Sequence, residues 1–199
     1  ATLLGGMALG ATSAQADDAA GTPVTGEATF TFTAETAEQL TNANLKAYKI
    51  GDYVQYGSDE NVAYGVVTNS NNKTAVDSEL KAAGVDTTDS KVDHLAAALN
   101  AGTLDISATR PWDKTANGNA STTRAFANAL ESEGKLASGQ KVTLGAATTV
   151  QGGYSASVNL PAGIYVFIDS AAATESVTKA IPMIVASGTV NTGKKALTD

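Results

Sequence analysis

Residues 160–170, LPAGIYVFIDS, contain a tight corner followed by an uninterrupted β-forming run. Pro161 cannot donate to a strand ladder and Gly163 can adopt backbone angles that other residues avoid, so the pair predicts a sharp change of chain direction. The run that follows, IYVFI, has no polar face and ends at Asp169. Because such a run is typical of a strand covered on both sides, we expect it to be the central strand of a β-sandwich.

Polar and apolar residues alternate in the segment that leads into this corner. The apolar members are Tyr154, Ala156, Val158 and Leu160, and the polar members between them are Ser155, Ser157 and Asn159. Successive side chains of a strand point to opposite faces, so this alternation predicts a strand with one buried face.

Five further segments have the composition of strands. They are residues 28–33, 45–55, 61–68 (a strand or a hairpin arm), 141–150 and 180–187. The segment 45–55 is expected to bulge or bend at Gly51, because glycine weakens a regular strand. On its alternation, Lys46 shares a face with Tyr48 and Ile50. Residues 35–44 are polar and are interpreted as one helical turn or a loop.

Three helix-like segments separate the early strands from the late ones. They are residues 75–83, 92–100 and 122–136. Gly84 is a suitable C-terminal cap for the first, and Ser121 or Thr122 a suitable N-cap for the third. Strands, then helices, then strands is not the alternation of a βαβ fold. The pattern therefore predicts a mainly β domain, a β-sandwich over residues 28–187 with a helical insertion at about 75–136.

The first sixteen residues, ATLLGGMALGATSAQA, are apolar and end in a small-residue site, Ala-Gln-Ala. This pattern predicts the remnant of a secretory signal peptide, and the alternative is a buried apolar helix. Residues 17–27 are then a flexible N-terminal segment, and residues 188–199 a linker or the start of a further strand or domain. We expect no membrane span after removal of the signal.

The chain has 199 residues, a formal net charge of −7, a pI near 4.6 and no cysteine. Secreted proteins commonly carry disulfides, so export without cysteine favours the surface of a Gram-positive bacterium. The acidic balance argues against nucleic acid or anionic lipid as a partner.

Signals for an enzyme are few. The single histidine, His94, is interpreted as a surface or half-buried helical side chain, since one histidine and no cysteine give little basis for a zinc or transition-metal site. Residues 188–195, GTVNTGKK, fit GxxxxGK, but Lys195 replaces the hydroxyl residue that would hold magnesium, so a turn or linker is favoured. We predict no catalytic residues, no cofactor and no metal.

One covalent reaction is available to a structural protein of this composition. A neutral lysine can attack an asparagine amide that a protonated carboxyl polarises, which releases ammonia and leaves an isopeptide cross-link. Burial would favour the neutral form of both groups. The candidates are Lys46, Asp169 and Asn191. The alternative is that Lys46 extends to solvent and that Asp169 caps a strand end.

A second candidate site is the loop that contains Arg110 and Trp112. An exposed aromatic side chain there would suit a glycan or a protein partner, and the alternative is a packed loop anchor.

Three stretches together resemble the N-terminal domain of Gram-positive sortase-assembled pilin and fimbrial subunits. They are LKAYKIGDYV at residues 45–54, LPAGIYVFIDS at 160–170 and KAIPMIV at 179–185, with the alanine-rich AFANAL helix between the first two. LPAGIY is also similar to the Leu-x-x-Gly-x-Tyr corner of Cna-B-type domains. The resemblance implies an Ig-like, Cna-B-related sandwich in which Asp169 matches the acid position of isopeptide-forming domains, where glutamate is more usual.

The resemblance also implies a location and partners. It implies a sortase substrate in the cell wall, with other pilin subunits and sortase as partners and adhesion to a host glycan or matrix protein as a task. Neither a sorting signal nor a pilin lysine motif occurs within residues 1–199. The alternative functions are a glycan- or matrix-binding module that uses the Trp112 loop and, in third place, a secreted hydrolase.

Overall fold

The computed structural model describes residues 21–57, 63–106, 121–170 and 180–187. The strands are β1 (Thr22–Pro23), β2 (Glu27–Ala34), β3 (Leu45–Tyr56), β4 (Ala63–Thr68), β5 (Gln140–Lys141), β6 (Thr148–Val150), β7 (Gly153–Pro161), β8 (Ile164–Asp169) and β9 (Met183–Ala186). The helices are α1 (Ala37–Thr41), α2 (Lys73–Ala82), α3 (His94–Asn100) and α4 (Thr122–Glu133).

The larger sheet is built around β3, the longest strand. β8 and β5 pair with its first half, β4 and β1 pair with its second half, and β9 pairs with the far side of β8, all antiparallel. Gly51 pairs with both Thr68 of β4 and Ile164 of β8, so these two strands lie on opposite sides of β3. The central position expected for the strand at 164–169 is confirmed, because β8 lies between β3 and β9.

The smaller sheet has the order β2-β7-β6. The register between β2 and β7 runs without a shift from Glu27 opposite Pro161 to Ala34 opposite Tyr154. The one-sided burial expected for β7 is confirmed, since Ala156 and Leu160 are buried while the residues between them are half-buried or exposed.

The two sheets meet through aromatic side chains. Phe30 of β2 lies edge-to-face with Tyr165 at a centroid distance of 5.3 Å, and Phe32 lies edge-to-face with Phe167 at 4.9 Å. Such pairs contribute about 0.5 to 1.5 kcal/mol beyond their burial. The predicted mainly β architecture with two packed antiparallel sheets is confirmed at this level.

The second face of β8 is covered by the helical insertion. Ile164 and Val166 alternate with the aromatic residues of β8 and are fully buried. Leu95 of α3 packs near Ile164. A Cβ atom added to Gly51 would lie 3.1 Å from the Leu95 side chain. The helices therefore form a third layer, which explains why this strand has no polar face.

The bulge expected in the second strand is present. The register between β3 and β8 shifts between Lys49 and Gly51. Leu45 and Ala47 are buried ahead of the bulge, and Ile50 is buried at it. Lys46 lies opposite Ile168 and Gly51 opposite Ile164, so the alternation of β3 is reversed from Gly51 onward.

The expectation of one strand over residues 141–150 is wrong. β5 belongs to the larger sheet and β6 to the smaller one. Between them the chain crosses from one sheet to the other, with the Val142 amide donating to Leu45 and the Gly145 amide donating to Ser157, both at 2.9 Å. Gly145 lies where the chain joins the smaller sheet, in keeping with glycine as an interruption of strands.

All three predicted helices are present with shorter or shifted bounds. Ser121 caps α4 by accepting from the Arg124 amide, and α4 ends at Gly134 in the left-handed conformation with φ of 60°. Gly84 follows α2 with φ of 90°. Residues 1–20 and 188–199, including the predicted signal remnant and the GxxxxGK stretch, lie outside the described part of the chain.

Candidate functional site: the corner at Ala162 and Gly163

The corner between β7 and β8 is tightly packed against β3. A Cβ atom added to Gly163 would lie 2.7 Å from the carbonyl oxygen of Gly51 and would also collide with the Lys49 side chain. The neighbouring Ala162 donates its amide to the carbonyl of Gly26 at 2.8 Å. The corner therefore binds the segment that leads into β2, and only glycine fits at its second position.

Ser187, which follows β9, binds the other side of the same corner. Its amide donates to the Gly163 carbonyl, and its hydroxyl accepts from the Gly163 amide, both at 2.9 Å. The carbonyl of Ser187 accepts from the Tyr53 hydroxyl at 2.8 Å. With 2% of its surface exposed, Ser187 is a buried polar residue whose backbone and side chain are all hydrogen-bonded.

Tyr53 connects the chain segments at this end of the domain. Its carbonyl accepts from the Val24 amide at 2.9 Å, while its hydroxyl donates to Ser187. Burial raises the pKa of Tyr53 far above the ordinary tyrosine value, so the hydroxyl remains a donor over the physiological range.

Tyr165 stabilises the corner through a hydrogen bond within the turn. Its hydroxyl donates to the Pro161 carbonyl at 2.7 Å. Burial, with a smaller contribution from the charge of Asp52, raises the pKa of Tyr165 to about 12. This bond spans the turn itself and contacts neither the incoming nor the outgoing segment.

The structure does not bring Lys46 and Asp169 together. Asp169 lies opposite Leu45 in the sheet, and Lys46 lies opposite Ile168, so the two side chains point to opposite faces. Lys46 is exposed, whereas Asp169 is 2% exposed and accepts from the amides of Asn44 at 3.2 Å and Ala180 at 2.9 Å. The burial that the isopeptide reaction requires is absent at Lys46. Asn191 lies outside the described residues.

His94 is more buried than the sequence led us to expect. It is 6% exposed, its Nδ1 lies 2.9 Å from the Asp77 carboxylate, and its Nε2 lies 2.9 Å from the Asp89 carbonyl. Burial acts to lower its pKa, but the bonds to Asp77 and Asp89 outweigh it, so the pKa of His94 is raised. Both ring nitrogens face acceptors, which favours the doubly protonated ring. The arrangement joins α2 to the segment before α3.

Asp93 has a structural task that the sequence reading missed. Its carboxylate accepts from the amide and the hydroxyl of Thr68, at 2.7 and 2.8 Å, and from the Ala96 amide at 3.0 Å. One side chain thus caps α3 and fixes that helix to the end of β4. An aspartate before an alanine-rich helix is a recognisable N-cap signal, but its bond to Thr68 has no signature in sequence.

A cleft of about 420 Å³ lies between α1 and the crossing segment that follows β5. Its lining consists of Leu40, Thr41, Ala43, Asn44, Leu45, Lys141, Val142, Thr143, Leu144, Gly145, Ala146 and Ala147. Among the described residues that line the cleft, Lys141 is the only ionisable one, so this part of the lining contains neither a carboxylate nor an imidazole for acid–base chemistry.

Arg110 and Trp112 lie in the gap at 107–120, so the ligand-contact hypothesis stays a prediction. Across the described residues, no group of three or more histidine, cysteine or acidic side chains has the arrangement of a metal site. In the same part of the chain, none of the helices has the length and apolar character that crossing a bilayer requires.

The sequence alone does not predict the contacts of the corner. Val24 and Gly26 are distant in the chain from Tyr53 and from Ser187, and nothing in their local composition relates the three segments. The Pro-Ala-Gly turn was the only available signal.

Comparisons with protein-family models, curated proteins and solved structures found no match.

Proposed function

We propose that this chain is a structural subunit of the bacterial cell surface, a pilin or a related wall-anchored adhesin, which bears load and mediates adhesion. In this proposal the two sheets form an Ig-like, Cna-B-related sandwich. The partners are other pilin subunits and the sortase that joins them, and the adhesion target is a host glycan or matrix protein.

The observation that carries the proposal is the passage of the chain between the sheets at the LPAGIY corner. β7, the strand before the corner, belongs to the smaller sheet, and β8, the strand after it, belongs to the larger sheet. The stretch that resembles pilin domains is therefore the one that joins the layers and supplies Tyr165 and Phe167 to the core. A resemblance in residues that determine packing supports a shared architecture.

The use of the polar side chains also supports a structural role. Asp93 and Asp169 accept from backbone amides, and His94 bridges a helix and a loop. Their hydrogen-bonding capacity is used within the fold. This favours a building block over a hydrolase, which would need acidic groups directed into a cleft.

Antibodies raised against residues 21–187 test the location. We expect them to label intact cells of the source organism and to detect the protein in the cell-wall fraction after digestion of peptidoglycan. If the full-length gene product is a sortase substrate, deletion of the sortase should also release it into the medium. Labelling that requires permeabilised cells, or a product confined to the cytosol, would overturn the proposal.

Adhesion is tested with beads that carry the domain. We expect retention on a surface of host glycans or matrix proteins, compared with beads that carry a heat-unfolded sample. A Trp112→Ala variant separates the two adhesive hypotheses, because loss of retention without loss of folding would locate the binding site in the loop at 110–112.

A further inference from the structure

The incoming and outgoing segments of the described domain lie at one end of the sandwich. β1 is antiparallel to β3 and places Thr22 beside Gln55, near the C-terminal end of β3. β9 is antiparallel to β8 and ends with Ala186 opposite Ile164, which is the corner end of β8. Since Ile164 itself lies opposite Gly51, both segments leave toward the same end of β3.

A continuous set of hydrogen bonds joins these two segments. Val24 binds Tyr53, Tyr53 binds Ser187, Ser187 binds Gly163 twice, and Ala162 of the corner binds Gly26. We infer that this set, here called the latch, carries tension between the incoming and outgoing segments, so that it breaks before the two sheets are loaded. The inference rests on the proposed function only in supposing that the chain works under tension.

The latch breaks first because of the direction in which the force acts. A force that separates residues 21 and 187 acts at the end of the domain where both segments leave. It is directed across the strands and not along them. Once the latch opens, β2 and β9 are pulled from β7 and β8 at their corner ends, so their ladder bonds break one pair at a time. Sequential opening offers little resistance compared with simultaneous shearing of a whole ladder, so the latch sets the force at which the domain opens.

The chain is well suited to a direct measurement. It contains no cysteine, so one cysteine added at each terminus of the full 199-residue chain gives two unique attachment points for optical tweezers. The test variant is Tyr53→Phe, which removes the bond to Ser187. The matched control is Tyr165→Phe, the same chemical change at a buried hydroxyl that binds Pro161 within the corner.

We expect Tyr53→Phe to unfold about five- to tenfold faster than the parent at constant force, the effect of one hydrogen bond on a rate. Tyr165→Phe should unfold under force at nearly the parent rate, although both variants lose similar stability in urea. If Tyr53→Phe does not fold, Ser187→Ala provides the test, since it removes only the hydroxyl that accepts from Gly163.

A second pulling geometry separates the latch from general stability. Asn42 and Gln151 are exposed and lie at the end of the sheets opposite the corner. With handles attached to cysteines at those two positions, the difference between Tyr53→Phe and Tyr165→Phe should vanish. Equal acceleration of both variants under terminal pulling, or a Tyr53→Phe effect that is specific to neither geometry, would overturn the latch. Neither outcome bears on where the protein is located in the cell.

Discussion

Gly163 approaches the carbonyl oxygen of Gly51 so closely that position 163 of the corner has no space for a side chain. An added Cβ would lie 2.7 Å from that oxygen, which belongs to the backbone and cannot rotate away. The bulge that precedes Gly51 and the corner that contains Gly163 are therefore parts of one packing arrangement. This packing arrangement fixes the position at which β7 ends and β8 begins.

We predict that Gly163→Ala destabilises the domain by about 2 to 3 kcal/mol, the cost of overpacking against rigid backbone. Urea unfolding monitored by circular dichroism measures the change. The control is Gly145→Ala, where an added Cβ would be in ordinary contact, 3.5 Å from the Ser157 carbonyl, and where we expect a change within about 0.5 kcal/mol. Equal effects of the two substitutions would contradict the close approach at Gly163.

Phe167 is the aromatic residue through which β8 contacts both phenylalanines of β2. Its ring lies 5.5 Å from that of Phe30 and 4.9 Å from that of Phe32, and it is fully buried. We predict that Phe167→Ala costs about 3 to 5 kcal/mol, since the cavity cannot close between two sheets held at a fixed distance. Ile181→Ala, at a residue 61% exposed, should change the unfolding free energy by less than about 0.5 kcal/mol. A small effect at Phe167 would mean that the aromatic cluster does not join the sheets.

The local patterns predicted the strands where one sequence feature determined the structure. β8 has the bounds expected from its apolar run, and the buried face of β7 follows from its alternation. The reason is that burial on one or both faces is recorded directly in the period of the apolar residues. The identity of the second cover, helices and not a third sheet, follows only from the packing of Leu95 near Ile164.

The failures have a common physical cause, which is pairing between distant segments. The bulge at Ile50 lies within the pairing of β3 with β8, and it reverses the alternation of β3 from Gly51 onward. The run at 141–150 divides because its ends pair with different sheets. The latch likewise depends on Tyr53 and Ser187 meeting at the corner. Register is a property of two strands together, so one strand's sequence does not determine it.

The exposure of Lys46 leads to a prediction about the covalent state of the chain. We expect no isopeptide bond at this residue, because its amine faces solvent and Asp169 lies on the other face. The intact mass of the purified chain should therefore show no deficit of about 17 Da, the mass of one ammonia, that depends on Lys46. Lys46→Arg should leave the unfolding free energy within about 0.5 kcal/mol of the parent. A mass deficit in the parent that disappears in Lys46→Arg would contradict the placement of this side chain.

The bonds of His94 predict a dependence of stability on pH. The ring contacts Asp77 of α2 and the Asp89 carbonyl, with Lys73 bonded to the same Asp77 carboxylate and Asp86 close enough for its charge to act. Because the folded-state pKa of His94 is raised above its unfolded value, protonation favours the folded state. This contribution is fully present below the unfolded pKa, near 6.5, and is lost as the pH rises through the folded pKa.

We expect the loss to be roughly 0.5 to 1.5 kcal/mol, the net contribution of one hydrogen bond, since the acceptors that the ring faces are half-buried at Asp77 and exposed at Asp89. Urea unfolding midpoints at closely spaced pH values from about 5 to 9, which cover the range in which histidine titrates, measure this loss of stability. His94→Gln cannot titrate, so the difference in unfolding free energy between the parent and this variant should decrease with rising pH. Asp77→Asn removes the carboxylate that raises the pKa, so the decrease should move to lower pH. Parallel pH profiles for the parent and His94→Gln would show that folding does not shift the pKa of His94, and a difference that increases with rising pH would show that the folded state holds a neutral ring. Either result would contradict the raised pKa.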